Sequence, residues 1–179
     1  MKHTILIVAT AVALSATPGT SAQAPASSTA PVADQSFVKK LAQGGAAEIE
    51  LSQLASQKAM NSEVKAFAQR MIDDHRKAGD ELKGLAQRKN ITISEELPAD
   101  AKAAKERLSK LSGAAFDRAY MDVMLSDHRK VVTEVKAESQ SGKDADVKAW
   151  AAKTLPTIEM HLMHAQEVHH AVQGRTATH

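Results

Sequence analysis

The 179-residue chain has no cysteine, which excludes disulfide bonds, thiolate metal ligands and lipid attachment through cysteine. Aromatic residues make up only 3% of it, so we do not expect a stacking platform for nucleobases or sugars. It also lacks an excess of one charge, because 23 lysines and arginines face 21 acidic residues, and nucleic-acid binding is therefore not expected. With only 8 glycines and 5 prolines among many good helix formers, the composition favours an all-α fold.

The first 22 residues have the pattern of a secretory signal peptide. Lys2 and His3 form a short basic start, residues 5–16 are an apolar run, and Ala22 ends a small-residue stretch suited to cleavage. This run is shorter than the ~20 residues of a membrane span, so an uncleaved anchor is the less favoured alternative. Residues 23–34 are rich in alanine, serine and proline and predict a flexible linker. We therefore expect an exported, periplasmic protein whose mature chain has no membrane span.

Residues 35–173 have the apolar periodicity of a helical domain, and a disordered tail is expected at 174–179. Ser62 is the predicted N-cap at the first tight turn, while Gly142 and Asp144 suit the second. Two short connections and a long one between them are typical of two helical hairpins joined by a crossover. Long helices are predicted at 35–59, 63–89, 114–140 and 145–172, with a short helix at 99–111 in the connection between the second and third.

The apolar face of each long helix is interrupted once by a residue that can coordinate a metal. These residues are Glu48, His75, His128 and His161. Glu48 lies 13 residues before Asn61 and His75 lies 14 residues after it, so at ~1.5 Å per residue both sit ~20 Å from that turn. His128 and His161 fall near the middle of their own helices. We therefore expect all four side chains at one level of the core.

Four inward polar side chains at one level leave two interpretations open. They can share a metal ion, since three imidazoles and one carboxylate suit zinc, iron, copper or manganese. They can instead form a metal-free polar layer that hydrogen-bonds within itself and fixes the register of the helices. Asp74 and Asp127 each precede a histidine, and each could orient a histidine only across the bundle, because adjacent residues of a helix do not face each other.

Ordered motifs spread over residues 35–172 also carry a family resemblance. They are Gly44-Gly45 with Glu48, Asn61 to Phe67, Asp74-His75, Phe116 to Tyr120 with His128, and Leu155-Pro156 with His161. Together they resemble the exported bacterial family catalogued as domain of unknown function 4142. The resemblance implies a ferritin-like four-helix bundle in the periplasm or outer membrane, and it implies no established activity.

A di-iron centre of the ferritin-like kind is disfavoured by the residues themselves. Such proteins place a glutamate three residues before a histidine on two of their helices. Here Ile72 precedes His75 by three residues and Ile158 precedes His161 by three, so the carboxylates that would bridge two irons are missing. A single transition-metal ion remains compatible with the chain.

The leading functional interpretation is an exported, non-enzymatic helical bundle that serves metal binding or envelope stress, and no catalytic residue is assigned. One alternative is a metal-dependent oxidoreductase or hydrolase, which needs a channel to the centre. Gly44 and Gly45 could thin the wall of such a channel, although close helix packing is the commoner role of glycine. The other alternative is a module with a metal-free polar layer that binds an envelope protein.

Overall fold

The computed structural model describes residues 29–94 and 96–174, which form five α-helices. No β-strand occurs in these residues, so the all-α class expected from composition is confirmed. Within the same residues, no helix combines the length and apolar character needed to cross a bilayer. The helices are α1 (Val32–Lys58), α2 (Ser62–Arg88), α3 (Ala99–Ser109), α4 (Gly113–Ser141) and α5 (Ala145–Gly174).

Asn61 fixes the tight turn between α1 and α2. Its side-chain oxygen accepts hydrogen bonds from the backbone N–H groups of Glu63 (2.7 Å) and Val64 (3.4 Å), as an N-cap does. The expectation that Ser62 caps this helix is wrong, because Ser62 is already its first helical residue. The backbone N–H of Asn61 also donates to the buried carboxylate of Asp117 on α4 (2.9 Å), which ties this turn to the second hairpin.

Asp34 fastens the start of α1 to the turn between α4 and α5. Its Oδ2 accepts hydrogen bonds from the backbone N–H groups of Lys143 (2.9 Å) and Asp144 (2.5 Å), and its side chain is buried. Asp144 in turn accepts from two N–H groups in the first turn of α5 (3.0 and 3.2 Å), which is the cap expected there. Helix α1 begins at Val32, inside the segment 23–34 predicted as a linker, because this anchor orders its first turn.

The signal peptide predicted at 1–22 lies outside the described residues. So do most of the linker and residues 175–179 of the expected tail, and these assignments stay predictions. Helix α5 continues to Gly174, the first residue of that tail.

The long helices pack as two antiparallel pairs that meet along thinner seams. Helix α1 lies along α2, and α4 lies along α5, with the most extensive contacts in the molecule. The pairs meet where α2 touches α5 and where α1 touches α4, and α3 crosses over α1 and α4. The four long helices thus surround one common interior.

Apolar side chains fill the two ends of this interior differently. One end, here called the packed end, holds a single continuous cluster with three aromatic rings. The other, here called the open end, holds two smaller clusters of buried aliphatic side chains and alanines, against which the partly buried Phe37 and Trp150 pack. The packed end includes Phe67, Met71, Phe116, Tyr120, Met121, Met124, Ala165 and Val168. The open end includes Val38, Leu82, Leu85, Val147 in one cluster and Val135, Ala151, Ile158 in the other.

Candidate metal centre

The four residues singled out from the sequence meet between the two ends. Glu48 comes from α1, His75 from α2, His128 from α4 and His161 from α5, so each long helix supplies one side chain. Oε2 of Glu48 lies 2.6 Å from Nε2 of His75 and 3.7 Å from Nε2 of His128. The three imidazoles offer one nitrogen each within 4.8 Å of one another, and their ring centroids are 5.6 to 6.0 Å apart.

Burial makes this cluster costly as a set of free polar groups. His128 is 1% exposed, His161 2% and Glu48 6%, whereas the His75 side chain is 16% exposed. Among the described residues, four buried atoms of the cluster lack a hydrogen-bond partner: Oε2 of Glu48, Nε2 of His75, Nε2 of His128 and Nδ1 of His161. The 2.6 Å approach of Glu48 to His75 is close but lacks hydrogen-bond alignment. Each buried polar atom without a partner costs about 1–3 kcal/mol.

Two histidines are oriented by hydrogen bonds on their outer sides. Nδ1 of His128 donates to the backbone carbonyl of Met124 (2.9 Å), since a carbonyl can only accept, and its Nε2 keeps a free lone pair. Nε2 of His161 donates to Oδ2 of Asp74 on α2 (2.8 Å), which leaves the lone pair on Nδ1. The unpartnered nitrogens are thus the ones with free lone pairs, as in metal-binding histidines held by an outer carboxylate or carbonyl.

Asp74 and Asp127 precede corresponding histidines but have different surroundings. Asp74 reaches across to His161 on another helix, the arrangement that sequence spacing allowed. Asp127 instead pairs with Lys130 on its own helix at 3.1 Å, and both side chains are well exposed. Of the two aspartates that directly precede a histidine, only Asp74 therefore orients one.

The charges of the cluster are strongly coupled. Burial alone would raise the pKa of Glu48, but the nearby imidazoles of His128, His75 and His161 outweigh it and lower this pKa to about 2. Burial lowers the pKa of His161 to about 4, and its hydrogen bond to Asp74 offsets only part of that effect. Burial also acts to lower the pKa of His75, yet the Glu48 carboxylate prevails and raises it. In the metal-free protein, Glu48 is thus a carboxylate that favours a protonated His75 beside it.

Ser52, which the sequence did not single out, forms a polar pair with Tyr120 one turn from Glu48, towards the packed end. The hydroxyls of Ser52 and Tyr120 hydrogen-bond at 2.8 Å, and both residues are fully buried. Ser52 follows Glu48 by four residues, so helical spacing was the one available signal for it. The ring of Phe67 stands edge-on to Tyr120 and to His128, with centroids 6.3 Å away in each case. This layer closes the cluster on the packed side.

The other C-terminal histidines lie apart from the three grouped nitrogens. His164 packs edge-on against Phe67, with ring centroids 5.3 Å apart. His169 bonds to Asp122 at 2.8 Å near the surface. The buried Nδ1 of His164 also has no hydrogen-bond partner among the described residues, but this histidine does not belong to the group of three nitrogens that could share a metal ion.

A cavity of about 990 Å³ adjoins the cluster; it extends into the open end and also along the side where Leu51 of α1, Ala104 of α3 and Val123 of α4 line it. Glu48 and the three histidines form part of its wall. Much of the remaining wall comes from the helix turns next to them on the open side, including Gly44, Gly79, Val131 and Ile158. Exposed residues such as Lys40 and Lys83 also line it, so the cavity reaches the surface.

Fold and site together define an all-α protein with a buried histidine–carboxylate centre. The family model described as "Domain of unknown function (DUF4142)" matches residues 17–168, and the chain belongs to this family. The resemblance seen in the sequence motifs is thereby confirmed. None of the curated proteins matches the chain.

Two solved structures have a similar fold. The DUF305 fragment from Deinococcus radiodurans is 15% identical and has a TM-score of 0.71, with 80% of this chain and 99% of that chain covered. CopM in the Cu(II)-bound form is 17% identical and has a TM-score of 0.60, with 77% of this chain and 96% of that chain covered. At such identities the similarity is one of fold alone.

Proposed function

We propose that this protein binds one transition-metal ion in the interior of a ferritin-like four-helix bundle, with Glu48, His75, His128 and His161 as its ligands. The observation that carries the proposal is the meeting of four buried ligand atoms, one from each long helix: within the described residues, Nε2 of His128 and Nδ1 of His161 have no hydrogen-bond partner, and Oε2 of Glu48 lies 2.6 Å from Nε2 of His75. A shared metal ion would satisfy all four at once, which no single proton can do.

The donor set narrows the choice of metal. Zinc, iron, copper and manganese all accept imidazole and carboxylate, but three nitrogen donors favour copper and zinc over manganese. For a given site of this kind, divalent copper normally binds most tightly of the first-row ions. CopM, which has a similar fold, was solved with Cu(II), and this makes copper the first ion to test. One carboxylate is too few to bridge two irons, so a di-iron centre is not proposed.

A metal-free polar layer is the competing account of the same residues. It would rest on the charged pair of Glu48 and His75, which the shifted pKa values of both groups favour. Such a pair still leaves the free nitrogens of His128 and His161 buried without partners. We therefore favour the metal, and expect its binding to displace the proton of His75.

We further propose that the protein is exported and acts in the periplasm as a metal-binding protein, in metal handling or envelope stress. The support is the signal-peptide pattern of residues 1–22, and the test is the N-terminal sequence of the mature protein from fractionated cells. A chain that begins at Gln23 in the periplasmic fraction is expected. An envelope protein partner is a further expectation from the sequence.

The binding test uses untagged mature protein that has been stripped by a chelator, because a histidine tag would itself bind metal. Titration with Cu(II) and Zn(II) against a competing chelator should give one ion per chain. His128→Ala should weaken binding by at least about 100-fold, and Glu48→Gln by at least about 10-fold. His170→Ala, at an exposed position of α5, is the matched control and should leave the affinity unchanged. Equal affinities in all four proteins would rule out this centre.

A further inference from the structure

We propose that the cavity beside the centre is a ligand chamber, which admits a small organic monoanion to the metal. This inference rests on the proposed metal site. The chamber, defined here as the cavity of about 990 Å³ that adjoins the centre, is about as large as the largest common small-molecule pockets.

The first observation is that glycines of α1 and α2 border the chamber. Among the described residues, an added Cβ at the exposed Gly44 or the half-buried Gly79 would meet nothing within 4 Å, and one at Gly45 would lie 3.6 Å from Nδ1 of His75. Glycine inside a helix costs about 1 kcal/mol relative to alanine. Close helix packing, the common reason to accept that cost, does not apply where no neighbour stands nearby.

The second observation is that the centre is closed on one side and open on the other. Towards the packed end it is covered by Phe67, Tyr120 and the neighbouring methionines. Towards the chamber, His75 is the most exposed of the four ligands, at 16% of its side chain. Four protein ligands complete the tetrahedral site typical of structural zinc, whereas Cu(II) prefers tetragonal geometry and can take a further ligand, which would enter from the chamber side.

The third observation concerns the chemistry that the chamber would accept. Its inner wall includes Leu41, Leu82, Val131 and Ile158, which would pack against an apolar body. A divalent ion with three neutral imidazoles and the Glu48 carboxylate as ligands carries one net positive charge, and the Asp74 carboxylate that offsets it stands on the outer side of His161, away from the metal. A monoanionic head group would neutralise that charge. The expected ligand class is therefore a small carboxylic acid with an apolar body. Azide, which has no such body, would bind the metal without filling the chamber.

The test measures the visible spectrum and the electron paramagnetic resonance of the Cu(II)-loaded protein as azide or hexanoate is added. Both should cause saturable changes, and hexanoate should bind more tightly than acetate because its tail packs against the apolar wall. Gly79→Leu and Gly44→Leu add side chains at two positions that line the chamber, one on each of two helices. Each substitution should lower the affinity for hexanoate by about tenfold or more, while the Cu(II) affinity changes by less than about threefold.

Gly84→Leu is the matched control, because Gly84 lies on the same helix as Gly79 but does not line the chamber. It should leave the binding of both copper and hexanoate unchanged. If the parent protein does not bind Cu(II), the proposed function itself is overturned. Tight Cu(II) binding with no spectral response to either anion would overturn only the chamber. Equal hexanoate affinity in folded Gly44→Leu or Gly79→Leu would do the same, and circular dichroism checks that each variant is folded.

Discussion

The two ends of this molecule are built from the same four helices but are filled in opposite ways. The packed end brings together Phe67, Phe116 and Tyr120 with several buried methionines in one continuous cluster. The open end has two smaller clusters and a cavity beside them. The histidine–carboxylate centre lies on the boundary, so one of its sides is walled off and the other is accessible. The comparison teaches that the two halves of the interior have different roles: the packed end contributes most to stability, and the open end gives access to the centre.

The largest effect on stability is expected when one buried residue from each end is shortened to alanine. Met71 and Leu82 both lie on α2 and are buried, at 0% and 2% exposure, but only Leu82 lines the cavity. We expect Met71→Ala to lower the free energy of unfolding by about 4 kcal/mol and Leu82→Ala by about 2 kcal/mol. The reason is that Leu82 already lacks neighbouring atoms on its cavity side. Urea denaturation of the metal-free proteins measures both, and equal losses would break the contrast.

A smaller effect is expected at the boundary between the ends. Replacing Asp74 by asparagine removes the carboxylate that holds the ring of His161, and should weaken metal binding by about 10- to 100-fold. Asp127→Asn is the matched control, because Asp127 stands in the corresponding motif but pairs with Lys130 at the surface. Competition titrations with a chelator compare the two variants. Similar losses in both would show that Asp74 has no special role.

At the open end, a small side chain should stabilise the protein. Gly79→Ala should raise the free energy of unfolding by about 0.5–1 kcal/mol, since the added methyl meets no neighbour and alanine favours the helix. Gly142→Ala should act in the opposite direction, because its Cβ would lie 2.5 Å from Oε1 and 2.7 Å from the carbonyl oxygen of Glu138. Thermal unfolding of the two variants measures whether each substitution raises or lowers stability. A loss of stability in Gly79→Ala would mean that the space around it is not free.

The smallest effect concerns charge at the turn between α4 and α5. Burial, together with the carboxylates of Asp34 and Asp144, raises the pKa of Glu138. A carboxyl whose pKa is raised by folding contributes stability at low pH and loses it as the pH rises through that pKa. Glu138→Gln should therefore be more stable than the parent protein at pH 8, and this advantage should disappear towards pH 4. Unfolding midpoints across that range decide it, and an advantage that grows in acid would contradict the assignment.

The depth of the centre along the helices was predictable because the rise per residue of an α-helix is nearly constant. Counting residues from Asn61 placed Glu48 and His75 at equal depth, and in the structure their side-chain atoms lie 2.6 Å apart. The same arithmetic could not predict which carboxylate would orient a histidine. Asp74 and Asp127 each directly precede a histidine, and only the packing of α2 against α5 distinguishes their roles.

Turn chemistry was predictable only in part. The cap formed by Asp144 follows from its position before α5, whereas Asn61 rather than Ser62 caps α2, because adjacent capping residues compete and one residue shifts the helix start. The early start of α1 depends on Asp34, whose partners lie more than 100 residues away. No local pattern carries that information.

The amino-acid sequence by itself determined the helical class, the position of the turns and the level at which the four polar residues meet. Each of these follows from local periodicity, which is a property of the chain before it folds. Tertiary structure alone decided that the glycines border a cavity instead of a helix contact, and that the centre is covered on one side and open on the other. Those outcomes depend on how the side chains of different helices fill one shared interior. Because these contacts join residues far apart in the sequence, they form only when the helices pack together.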